Sequence, residues 1–148
     1  MSRTPLQNFV ERVLADDRIM FADLMRLQRD ILPARITTRE EAEILLFLDS
    51  AVHRTDREWP VYLAATVRDF AIWGLHPAGC VDRGKAEWIT AALSRAGPAR
   101  TARVILREIM HEARNIDDEA LRELKIERGN FRIASAVRMR ESSTGVAK

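Results

Sequence analysis

Apolar residues recur along this chain at three- and four-residue intervals, the spacing of amphipathic helices. The first such stripe is Leu6, Phe9, Val10, Val13 and Leu14, which predicts a short helix from Pro5 to Ala15 with proline in its first turn. The second is Met20, Leu24, Leu27 and Ile31, a helix from Arg18 to Leu32 that Pro33 ends by pushing its predecessor out of the α region. Thr37-Thr38-Arg39-Glu40-Glu41 offers two overlapping capping boxes, Thr37 with Glu40 and Thr38 with Glu41. Ala42, Leu45, Leu48 and Val52 follow at helical spacing. Ile44, Leu46 and Phe47 widen that face, which predicts a central, well-buried helix.

A fourth helix begins between Asp56 and Pro60, carries Trp59, Tyr62, Leu63, Val67, Phe70 and Trp73, and stops at Gly74. Leu75-His76-Pro77-Ala78-Gly79 is a loop by its turn chemistry. A fifth helix runs from Asp82 to Gly97-Pro98, with Trp88, Ile89, Ala92 and Leu93 on its stripe. Pro98 suits the first turn of a sixth, faced by Ala102, Ile105, Ile109 and Ala113. A seventh opens at Asp117 or Asp118 and ends near Gly129. Beyond it, Phe131, Ile133, Ala134 and Val137 are suited to dock a last turn, and Glu141 to Lys148 reads as a disordered tail. No segment alternates with period two. The expectation is an all-α fold: one compact domain over residues 1–130, of six to seven short helices that are largely antiparallel neighbours, with a basic C-terminal tail over 131–148.

Composition agrees with a packed domain. The 148 residues are 47% hydrophobic and 31% charged, which excludes a chain disordered throughout. No apolar run is long enough for a membrane helix, and Met1-Ser-Arg-Thr-Pro5 has no signal-peptide core, so a cytoplasmic location is expected, with no membrane partner. The single cysteine, Cys80, rules out an internal disulfide. Net charge is only +2, but it is unevenly placed. From residue 125 onward there are six basic residues against two acidic, on a slightly acidic body.

Three helix starts resemble one another: Ile36-Thr37-Thr38-Arg39-Glu40-Glu41-Ala42, Val81-Asp82-Arg83-Gly84-Lys85-Ala86-Glu87 and Ile116-Asp117-Asp118-Glu119-Ala120. Each has a β-branched residue, a capping residue, then acids or alanine. Repeated on successive helices over roughly residues 20 to 125, the pattern resembles that of TerB-like proteins, all-helical bacterial domains named for tellurite resistance. The resemblance implies an all-helical fold and a metal-associated stress role. Where the family pattern carries an Asp-Gly pair, this chain has Ala34-Arg35, Gly79-Cys80 and Arg114-Asn115.

Candidate chemistry is sparse. Glu108, His111 and Glu112 include a Glu-x-x-His step that puts two ligand types on one helix face, the local candidate for a divalent metal. No other cofactor is implied. Asp49 and His53 stand at i, i+4, a spacing suited to a metal or a poised base. His76 lies near Cys80, which precedes a helix start that can lower a thiol pKa. Trp59, Tyr62, Phe70, Trp73 and Trp88, with Phe47, suit either core packing or a groove between the fourth and fifth helices. Of these, Trp59 and Trp73, near the ends of their helix, are expected to be partly exposed. Arg100, Arg103 and Arg107 form a stripe able to contact phosphate, unaccompanied by a base-reading set. There is no Walker loop, G-x-G-x-x-G, G-x-S-x-G or H-E-x-x-H. The expectation is a non-enzymatic module that binds a protein partner through Trp59, Trp73, Arg100, Arg103 and Arg107. The alternatives are the TerB-like metal-associated protein and a nucleic-acid-associated regulator using the arginines and the tail.

Overall fold

The computed structural model describes residues 4–96 and 99–125, with side chains except at 96, 99 and 100. The fold is all-α, with four strands of two residues each among the described residues. Helix α1 spans Pro5–Asp16, β1 Arg18–Ile19, and α2 Phe21–Arg26, which continues as a π-helical turn over Leu27–Ile31. Then come α3 (Arg39–Ala51), β2 (Arg54–Thr55) and α4 (Glu58–Asp69), the last extended by a π turn over Phe70–Gly74. The chain continues through β3 (Cys80–Val81), α5 (Arg83–Ala96), α6 (Ala99–Glu112) and β4 (Asn115–Ile116) to a last described helix, α7, over 118–125. The end of that helix near Gly129 and the tail over 131–148 lie outside the described residues.

Local chemistry explains most of these boundaries. Thr4 caps α1, its hydroxyl accepting from the Gln7 amide while the Gln7 side chain accepts from the Thr4 amide. At α3 the Thr38–Glu41 box forms. Thr37 turns to Glu41 as well, at 2.8 Å from its amide, so the predicted Thr37–Glu40 box is replaced. The second helix starts at Phe21 rather than Arg18. Asp17 adopts a left-handed conformation (φ 55°), Arg18 and Ile19 extend, and Asp23 accepts from the Met20 amide to open α2.

The short strands are what the helical pattern did not predict. β1 pairs in parallel with β2, and β3 with β4. The two pairs are built alike. In each, a left-handed residue (Asp17, Gly79) precedes the first strand, and two helices separate the partners. In each, the last residue of the first strand accepts from an aspartate amide beyond the second: Ile19 O from Asp56 N at 2.7 Å, and Val81 O from Asp117 N at 3.0 Å. A helix leaves every strand within three residues. The internal repeat is therefore β–α–α–β–α, marked by Ile19, Thr55, Val81 and Ile116. Ile36, which the sequence comparison aligned with Val81 and Ile116, lies in no strand; it is buried ahead of α3.

One apolar core runs through all the helices, from Phe9 and Val13 of α1 to Leu124 of α7. Trp59, Leu45, Leu63, Ile72 and Leu93 are among its fully buried side chains. Lys85 is buried with them, 2% exposed. Its ammonium donates to three backbone oxygens: Pro77 O at 2.6 Å, Cys80 O at 2.8 Å and Ile72 O at 3.1 Å. One side chain thus ties the end of the α4 extension, the loop and β3 to α5. Gly79 completes that corner, since a Cβ there would sit 3.1 Å from the Trp73 ring on a backbone of φ +84°.

Burial lowers the Lys85 pKa from its ordinary 10.5, against the raising effect of Asp82 and Cys80. The unfolded chain then holds this proton more tightly, so the lysine's contribution to stability increases as pH rises towards 10.5. Replacing Lys85 with methionine strands oxygens that have lost their donor, and should cost about 1–3 kcal/mol. A urea titration at neutral pH measures it; an unchanged midpoint would show that the ammonium does not hold this corner.

Candidate functional site

An open groove of about 540 Å³ lies between α1 and α3. Its floor is apolar: Val10 from α1, with Ile44 and Phe47 from α3. Glu11, Glu40 and Glu43 line it with carboxylates. Phe47 is 47% exposed. This corrects the expectation that it belongs to a wholly buried face: Ala42, Leu45, Leu46 and Leu48 face the core, and Phe47 looks outward. The α5 edge of the groove is held by Glu43, whose Oε1 accepts from Arg95 at 3.0 Å and from the Trp88 indole at 3.3 Å. Arg39 lies over that indole, 5.5 Å from the ring centre, and Phe70 meets it edge-on at 5.7 Å.

Of the two readings of the aromatics on the fourth and fifth helices, core packing or a groove, core packing holds for Trp59, Tyr62 and Phe70. Trp59 is fully buried, and Tyr62 and Phe70 nearly so. Trp59 therefore offers no surface contact, a correction to its expected role. Its position near a helix end did not expose it because Asp49 of α3 accepts its indole N–H at 3.0 Å and satisfies the polar edge inside. Burial raises the Asp49 pKa, opposed by hydrogen bonds from Trp59 and Thr101. Asp49 thereby links α3, α4 and α6, and it does not meet His53. The His53 ring approaches Asp17 at 2.9 Å, its backbone amide donates to the same carboxylate at 3.1 Å, and these bonds hold the Asp17 pKa below its ordinary value.

Trp73 is 48% exposed, as expected. Arg114 stacks over its ring at 5.2 Å. His76 is exposed and Cys80 half-buried, and among the described residues no hydrogen bond joins them.

Glu108, His111 and Glu112 border a cleft of about 310 Å³ with Arg68 and Arg107. Glu108 faces Arg68 at 3.6 Å, and Arg68 also binds Asp69, which in turn takes Arg35 at 2.6 Å. Among the described residues no three His, Cys, Asp or Glu side chains group so as to hold a metal ion. The three metal candidates share a helix end without forming such a cage. Of the arginine stripe, Arg107 is exposed, Arg103 is half-buried and the Arg100 side chain lies outside the description. Carboxylates beside Arg107 give that cleft mixed sign, a poor match to phosphate alone.

Comparison with protein-family models, curated proteins and solved structures finds no match. No described helix is long and apolar enough to cross a membrane.

The two tryptophans give opposite expectations. Trp59→Ala empties core and strands Asp49, and should cost about 3–5 kcal/mol. Trp73→Ala removes one stacked surface ring and should cost about 1 kcal/mol or less. Denaturant midpoints of the two variants test this, and equal losses would contradict the placement of Trp59.

Proposed function

We propose that this chain is a helical protein-interaction module whose contact surface is the groove between α1 and α3. The observation that carries the reading is Phe47, a large apolar side chain left half exposed on a floor with Val10 and Ile44, lined by three glutamates. An apolar floor with a charged rim is the anatomy of a surface that desolvates at its centre and selects at its edge. The partner that fits is a short segment with apolar side chains on one face and arginine or lysine flanking them. Trp73, stacked with Arg114 on another part of the surface, is a secondary candidate. The alternative reading, a TerB-like metal-associated protein, has no assembled ligand set among the described residues.

Phe47→Glu should leave helical circular dichroism unchanged, because the residue already faces water. It should reduce capture of a protein partner from the native cell at least tenfold, because a carboxylate would be buried on binding. Capture at the wild-type level by this variant would remove the groove from the interface.

A further inference from the structure

We infer that the α1–α3 groove is also the docking site of the chain's own C-terminal segment, Phe131 to Arg140, which occupies it when no partner is bound. The inference rests on the groove's reading as a segment-binding surface. Three observations converge on it.

The first is where the described chain ends. Helix α7 runs beside α5 in the same direction: Glu119 meets Arg83 at 3.6 Å, and Glu123 meets the Thr90 hydroxyl at 3.4 Å. The chain therefore leaves Lys125 heading towards the C-terminal end of α5. About 8 Å further along α5, at 1.5 Å per residue, stands Arg95, which binds Glu43 on the groove. The five residues 126–130 span roughly 17 Å when extended, enough to bridge that interval.

The second is composition. Phe131-Arg132-Ile133-Ala134-Ser135-Ala136-Val137-Arg138-Met139-Arg140 alternates apolar residues with three arginines and contains no acid. The third is the receptor's complementarity. Its floor is Val10, Ile44 and Phe47, and of the carboxylates that line it, Glu43 is already paired with Arg95, while Glu11 and Glu40 add negative charge to the rim. A tether this short gives an effective concentration in the millimolar range, so even weak intrinsic affinity fills the groove in cis. A partner must then displace the segment, which makes the tail a built-in competitor that sets a threshold for binding.

The test uses the full chain in a Cys80→Ser background. Val10→Cys with Ser135→Cys is treated with a short bismaleimide and compared with Val61→Cys plus Ser135→Cys. Val61 is exposed and apolar but lines a different groove, between α2 and α4. The expected result is an intramolecular cross-link at least fivefold faster for the Val10 pair, slowed to the control rate by Arg132→Glu with Arg138→Glu. Equal rates for the two pairs would overturn the proposal. So would a product that is a covalent dimer growing with protein concentration, which would put a second copy's tail in the groove. Equal rates combined with loss of partner capture in Phe47→Glu would remove the tail and leave the interaction module standing. A fast cross-link combined with intact capture in Phe47→Glu would keep the tail and remove the module.

Discussion

Two backbone hydrogen bonds between residues far apart in sequence organise this molecule: Asp56 N to Ile19 O, and Asp117 N to Val81 O. Each belongs to a pair of two-residue parallel strands, and each pair launches two helices from the same point. Parallel launching sets the positive ends of two helix dipoles side by side, which is unfavourable by itself. The sequence offsets it with carboxylates at all four starts: Asp23 at α2, Asp56 and Glu58 at α4, Asp82 at α5, and Asp117 with Asp118 at α7. Lys85 works in the opposite sense. It brings positive charge to backbone oxygens at the end of the α4 extension and in the loop after it. The Lys85 contacts also satisfy backbone oxygens in buried and part-buried surroundings that would otherwise lack these donors.

The groove follows from this frame. α3 lies between the two strands of the first pair and is held on its inner face by Leu45, Leu46 and Leu48. Its outer face receives α1 only in part. Phe9 and Val13 of α1 are buried, Val10 is half-buried, and Phe47 of α3 remains uncovered. Arg95 and Trp88 brace the opposite edge through Glu43. The floor is thus built on two helices whose spacing is fixed elsewhere in the fold, so a ligand would meet a largely pre-formed surface.

How much of this was legible in the sequence depended on period. The α3 and α4 stripes span three or more turns, so their helices could be read directly, and Thr38 with Glu41 marked a boundary to the residue. Two-residue strands have no period to read. Ile19 therefore looked like the start of a helix, and Ile36 looked like a repeat that it is not. Lys85 was invisible for a different reason: lysine on an amphipathic helix is ordinarily solvated, and only the three oxygens around its ammonium show otherwise. Trp59 and Phe47 exchanged expected environments. A tryptophan near a helix end suggests a wet polar edge, but Asp49, ten positions earlier, supplies the acceptor inside. A phenylalanine beside Leu46 and Leu48 suggests core, but its direction on α3 is settled only by where α1 packs.

The account's central claim is that the surface around Phe47 meets another protein. The most direct measurement places a photo-crosslinking benzophenone side chain at position 47, and separately at 61 and 73, in the chain expressed in its native cell. The account predicts a discrete intermolecular adduct from position 47 that neither other position gives in comparable yield. No adduct from 47, with a discrete one from 61 or 73, would contradict it and move the interface to another face of the fold.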